Sequence, residues 1–204
     1  MRYFTTTAGW IEVIVGSMFS GKTTELLRRL DRMRRAGRKV QVFSRDRRFA
    51  ENAVVSHDRL HTPSTWAETS AEIEAQLKPD TDIVGVDEGQ FYDEGLVDVC
   101  RRLAARGRVV IVAGLDQDWR TEPFMVMARL MAEAEFVTKL NAVCSRCGNP
   151  AIRNWRKAAG GERILLGAEE SYQALCRGCY EVAVLESRQI EMFPAAPPKS
   201  DEKP

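Results

Sequence analysis

No apolar run in this sequence approaches the roughly 20 residues that span a bilayer. The opening MRYFTTTAGW has neither the basic start nor the apolar stretch of a secretory signal. No membrane association is expected, and a cytoplasmic enzyme or regulator is. Neither sign of charge predominates, because 30 Lys+Arg against 29 Asp+Glu leave a net charge of +1. That balance excludes the global field that draws a protein onto nucleic acid or anionic lipid, so an anionic ligand must be held by a local site. Histidine is scarce, with two in 204 residues. His57 and His61 fall in a stretch, 52–63, with little periodicity and no cysteine or third histidine nearby. They read as residues of a surface loop, solvated or beside a substrate, rather than as metal ligands. Short internal repeats are not evident. A chain of this length can bury one main core and carry a small appendage without disulfides.

Apolar periodicity then sets out the elements. Trp10–Val15 reads as a buried strand, and Thr23 to about Arg35 as a helix with Leu26, Leu27, Leu30 and Met33 at helical spacing, stopped by Gly37. Strands are predicted at 39–44, 83–86 and 109–113, and helices at 67–77, 96–105 and 123–134. Strands alternating with helices of this length imply parallel β-α-β units and a sheet covered on both faces. Beyond Cys144 the texture changes to glycine, arginine and turn residues. The expectation is a nucleotide-binding domain over 1–140, a small second domain over 141–186 and a disordered tail over 187–204, which ends PAAPPKSDEKP.

Gly16-Ser17-Met18-Phe19-Ser20-Gly21-Lys22-Thr23 matches GxxxxGK[ST], placed where a strand gives way to a helix. Glycines allow the tight turn that aims successive N–H groups and a helix N-terminus at phosphates. Lys22 supplies a point charge near the β and γ phosphates, and the Thr23 hydroxyl can ligate Mg²⁺. A glycine-rich turn without function is the competing reading, and the strand–turn–helix setting weighs against it. An acid at the end of a parallel strand should complete the site, and Asp87 follows Ile83–Val86 there. Its neighbour Glu88 must point elsewhere, toward the γ-phosphate side, where a general base is useful. No NKxD-type guanine signature is found, which argues against a GTPase.

Four of the five cysteines form two pairs, Cys144-x-x-Cys147 and Cys176-x-x-Cys179. Together they complete a tetrahedral thiolate set for a structural zinc, with no open position for catalysis. A redox dithiol is the rival, and two matched pairs argue against it. Cys100 falls on a helical apolar face with Leu96, Val99 and Leu103 and reads as core.

Read together in order, GSMFSGKTTELLRR at 16–29, SRDRRF at 44–49, SHD at 56–58, VDEGQFY at 86–92, GLDQDWRTEPF at 114–124, KLNAVCSRCG at 139–148 and GAEESYQALCRGCY at 167–180 resemble the zinc-containing thymidine kinase family of bacteria and animal cytosol. The resemblance implies an α/β fold with a RecA-like P-loop NTPase core, and a zinc lobe that places a lasso loop over the nucleoside. It implies transfer of phosphate from MgATP to the 5′-hydroxyl of thymidine. It assigns catalysis to Glu88, Lys22 and Arg48, with Asp46 near the site, and nucleotide and metal contacts to residues 16–23, Asp87 and Gln90. It builds the nucleoside pocket from Met18, Phe91, Trp119, Phe124, Asn154, Leu165, Gly167 and Tyr172. Trp119 stands where the family commonly has phenylalanine, and Asn154 where a threonine often lines the base pocket. The same resemblance implies a homotetramer, feedback by thymidine triphosphate and no nucleic-acid partner. The alternative from another class is a P-loop ATPase whose zinc ribbon binds single-stranded nucleic acid or a protein partner, with the arginine-rich segment at 28–35 as its basic surface.

Overall fold

The computed structural model describes residues 9–45, 53–55, 61–157 and 171–192, with the backbone alone at 53–55, 61 and 188–192. In chain order the first elements are β1 (Trp10–Gly16), α1 (Lys22–Arg35), β2 (Val40–Ser44), β3 (Ala53–Val55), β4 (His61–Pro63), β5 (Thr65–Trp66), α2 (Ser70–Ala75) and β6 (Ile83–Asp87). A 3₁₀ turn at Gly89–Phe91 leads to α3 (Gly95–Ala105), β7 (Val109–Leu115), α4 (Met125–Glu133) and β8 (Phe136–Leu140). The remainder is β9 (Ala142–Val143), β10 (Pro150–Ala151), β11 (Arg153–Arg156), β12 (Tyr172–Leu175) and α5 (Arg177–Met192).

Six strands form one sheet in the order β5-β2-β6-β7-β1-β8, and every pairing within it is parallel. Strand alternation sends successive side chains to opposite faces. Ile11, Val13 and Val15 of β1 therefore join Leu96, Val99, Cys100 and Leu103 of α3 and Met127 and Leu130 of α4. Ile14 packs on the other face with Leu26, Leu27 and Leu30 of α1. Cys100 is core, and burial pushes its thiol up to about 12. On the α1 face Gly85 of β6 is required by contact, because a Cβ there would lie 2.7 Å from Leu30 Cδ1. That close approach draws α1, and with it the P-loop, onto the centre of the sheet.

The mainly parallel α/β core is the one expected from the sequence. Several elements differ. Residues 53–55 and 61–63, read as part of a loop, form an antiparallel pair, β3 with β4, too short for periodicity to reveal. The edge strand β8 was not anticipated: Phe136 and Val137, on opposite faces of the strand, are both exposed, so it shows no alternation. Finally, α5 runs to Met192, through position 187 where the tail was expected to begin. A helix that starts between the two cysteines of a CxxC pair carries no polar cap signal, and its apolar residues Tyr180, Ala183 and Val184 pack into the small lobe instead.

Candidate active site and metal centre

The carboxyl ends of β1, β7 and β6 lie side by side, and the chemistry-bearing residues follow directly from them. Gly16 closes β1; a Cβ there would sit 2.2 Å from the Leu140 carbonyl oxygen and 2.8 Å from Ser20 Oγ. Gly21 takes φ 82° to turn the chain into α1, a conformation costly for residues with a Cβ. Phe19 adopts φ 63° and is 41% exposed, and Glu88 adopts φ 54°. Non-glycine residues held in this region persist only where the surroundings impose it, typically at sites of function.

Inside the turn Lys22 Nζ donates to the Ser17 carbonyl at 2.8 Å. Burial lowers the Lys22 pKa, and Glu88, Asp87 and Asp116, in that order, oppose the shift. Thr23 Oγ1 lies 3.3 and 3.2 Å from the two oxygens of Asp87. Burial, reinforced by the charge of Glu88, pushes the Asp87 carboxyl up to about 7. Ser20 Oγ is buried and has no hydrogen-bond partner among the described residues. An orphaned hydroxyl within the glycine cradle fits a phosphate. A hydroxyl and an acid that converge, in a pocket already short of positive charge, fit a hard cation such as Mg²⁺.

The native state holds the Asp87 proton more tightly than the unfolded chain does. Stability therefore declines as pH rises from about 4 to about 7, and the cost is complete above that. Asp87→Asn should raise the thermal midpoint of the ligand-free protein at pH 8 by about 2–4 °C per kcal/mol relieved, with the gain vanishing toward pH 4. Differential scanning calorimetry across that range checks this, and a gain independent of pH would contradict it.

Glu88 sits at the turn into the 3₁₀ segment, where its carbonyl accepts from Phe91 N–H at 3.0 Å. Its carboxylate accepts from Gln90 Nε2. Gln90 Oε1 in turn accepts from Leu115 N–H at 2.9 Å, in a space that a Cβ on Gly114 would enter to within 2.7 Å of that oxygen. Gln90, expected to touch nucleotide, is buried and bridges Glu88 and the end of β7. Phe91 is half-buried, with its carbonyl taken by Arg45. Trp119 is half-buried beside the guanidinium groups of Arg120 and Arg156, 4.8 and 5.6 Å from its ring centre.

Two residues expected in the nucleoside pocket are almost wholly buried. Phe124 is 6% exposed and packs in the α3–α4 core, because as the residue before α4 it turns its ring inward. Asn154 is 2% exposed and has both ends of its amide engaged by main chain: Oδ1 accepts from Met18 N–H at 2.8 Å, and Nδ2 donates to the Gln117 carbonyl at 3.0 Å. Tyr172 opens β12 and is buried opposite Arg156. Arg48, Asp46, Leu165 and Gly167 lie outside the described residues, as does His57.

Sequence reasoning missed Asp116, which follows β7 between the P-loop strand and the Asp87 strand. It is buried, pairs through Oδ2 with Lys139 at 2.7 Å, and leaves Oδ1 without a hydrogen-bond partner among the described residues. The cue was present: an acid directly after the apolar run Val109–Leu115, as Asp87 follows its own strand.

The four cysteines of the two pairs converge so that their sulfurs lie within 4.8 Å of one another, with Cys147 and Cys176 at 3.5 Å. A tetrahedral zinc with ~2.3 Å bonds to sulfur sets its ligands about 3.8 Å apart, so the donor set fits that ion. Burial alone would raise the Cys144 thiol, but N–H groups of Cys176, Arg146 and Cys147 and the Cys147 thiol outweigh it and bring it to about 6. Around this centre β9–β12 and the start of α5 enclose a cluster of mostly small residues, Ala142, Ala151, Ala174, Leu175, Tyr180 and Ala183.

The thymidine kinase family model matches residues 9–180. A thymidine kinase of Bdellovibrio bacteriovorus is 51% identical over 173 residues, covering 84% of this chain and 85% of that protein. One of a Rhodothermus species is 49% identical over 175 residues, covering 85% and 82%. Among solved structures, the flagellar accessory protein FlaH from Methanocaldococcus jannaschii aligns at a TM-score of 0.48 and 11% identity over 82% of this chain and 89% of that one.

Proposed function

The chain belongs to the thymidine kinase family, and from that premise we propose that it transfers the γ-phosphoryl group of MgATP to the 5′-hydroxyl of thymidine, giving thymidine monophosphate and ADP. The observation that supports the reading is the contact of the P-loop helix with the end of β6: Thr23 Oγ1 lies 3.2 Å from Asp87 Oδ2, and the next residue, Glu88, has its carboxylate held by Gln90, which is tied to Leu115 N–H. As the 5′-oxygen bonds to the γ-phosphorus, its proton passes to the Glu88 carboxylate and the bond to the β,γ-bridging oxygen breaks. Lys22 and the cradle N–H groups stabilise the charge on the transferred group. Thr23 and Asp87 would hold the magnesium, which neutralises phosphate charge when bound. Met18, Phe91, Trp119 and Tyr172 supply flat or apolar walls suited to a pyrimidine, with Leu165 and Gly167 closing it and Arg48 orienting phosphate or base.

In this reading residues 1–140 bind nucleotide and 141–186 form the zinc lobe, its metal structural because all four ligands come from protein. A cytoplasmic homotetramer under feedback by thymidine triphosphate is the accompanying expectation. Among the described residues no helix is long and apolar enough to cross a membrane. The reading as a nucleic-acid-dependent ATPase is not favoured by relatives of this name and similarity. A panel of nucleosides with MgATP tests the proposal: thymidine monophosphate should form, with thymidine preferred over ribonucleosides. ATP hydrolysis stimulated by single-stranded DNA, without a nucleoside product, would sink it.

A further inference from the structure

The P-loop is stitched to the zinc lobe along its opening residues. Ser17 Oγ donates to the Ala151 carbonyl at 3.1 Å, across 134 positions of sequence. Met18 N–H donates to Asn154 Oδ1 at 2.8 Å, across 136 positions. Asn154 Nδ2 reaches the Gln117 carbonyl at 3.0 Å, and Gln117 Nε2 returns to the Ile152 carbonyl at 2.8 Å. One side chain on β11 therefore grips both loops that follow β1 and β7. Buried amides that tie main chain to main chain define position strongly, since every broken partner is left dry.

The other end of this connection is the metal centre. Asn154 faces Ala174 in the β11–β12 ladder, the next pair is Arg153 with Leu175, and Cys176 follows at once. Ala151 and Ala174 lie in the same small cluster as Cys144, and Ser145 N–H donates to the Ala174 carbonyl at 3.0 Å. Order imposed at the four sulfurs thus reaches Met18 through one rung of sheet and one carboxamide.

We propose that Asn154 is a positioning residue of the phosphate site, holding Met18 N–H so that the P-loop entry keeps its nucleotide-binding form, and that with Ser17 it makes nucleotide affinity depend on the lobe. The inference rests on the P-loop reading above and departs from the base-pocket role that the family resemblance gives this position. Releasing the Met18 N–H lets the turn populate other conformations, and apparent affinity falls with the competent fraction.

The test is calorimetric titration of Mg·ADP, and separately of thymidine, into the zinc-loaded full-length protein, Asn154→Ala and Ser17→Ala. Mg·ADP should weaken about tenfold in Asn154→Ala and about threefold in Ser17→Ala, with thymidine affinity losing less in each. In steady state the defect should sit in KM for ATP, with kcat recovered at saturation. Should Asn154→Ala fail to fold, Ser17→Ala decides, because it leaves the amide in place. Thymidine weakened as much as or more than Mg·ADP in either variant, or unchanged Mg·ADP affinity in the variants that fold, overturns the proposal. Failure of the wild type to bind thymidine would instead count against the kinase reading and leave the Mg·ADP comparison standing.

Discussion

Replacing Glu88 with glutamine is expected to lower thymidine phosphorylation by ~10²-fold or more, with MgATP affinity kept within a few-fold. The substitution preserves volume and still offers an oxygen to Gln90 Nε2, so the strut to Leu115 survives. What disappears is the carboxylate that accepts the 5′-hydroxyl proton. Because the barrier rises only when the proton must leave, the loss should appear in kcat and kcat/KM together rather than in KM for ATP. Rapid-quench measurement of thymidine monophosphate formation, with fluorescent-nucleotide binding in parallel, separates the two. Near-normal turnover would transfer the base role to another acid, and Asp87 and Asp116 both act on Lys22 from nearby.

Stripping the metal from the four-cysteine centre should have the second largest effect. The lobe core is built mostly of alanines around Leu175 and Tyr180, too little apolar area to offset the entropy of ordering its short strands. A structural zinc in such a setting contributes on the order of 10 kcal/mol. Chelation is therefore expected to erase amide protection in β9–β12 and at the start of α5, while the parallel sheet, with its two independent helix-covered faces, stays protected. Thymidine binding should be abolished and Mg·ADP binding weakened, since the lobe holds Ser17 and Met18. Hydrogen exchange followed by mass spectrometry reads this directly; lobe amides still protected after complete metal removal would show that the thiols are not its keystone.

The parts of the molecule legible in the sequence are those where chemistry fixes spacing. Backbone amides can wrap phosphates in few ways, so residues 16–23 announce themselves. Two thiolates per turn suit a tetrahedral ion, and the four sulfurs do converge. Buried parallel strands read as apolar runs, and four of the six in the sheet were visible that way. The roles of Gln90 and Asn154 were not legible, because a carboxamide looks the same whether it meets a ligand or a distant main-chain group, and only tertiary structure brings position 154 to position 18. Phe124 illustrates the same point: an aromatic beside a strand end can line a pocket or fill the core behind it, and only the tertiary structure shows its packing with α3 and α4. Strand β8 and helix α5 escaped because one lies at a sheet edge with apolar residues exposed on both faces, and the other begins inside a cysteine pair.

The Asp87 carboxyl, drawn up to about 7 by its burial and by Glu88, has a bearing on how the site fills. A magnesium ion held there by Thr23 and Asp87, as proposed above, would then have to displace the hydrogen ion that burial favours. Loading would be an exchange of cations rather than a simple capture, with the acidity of the surroundings setting how readily the site trades one for the other.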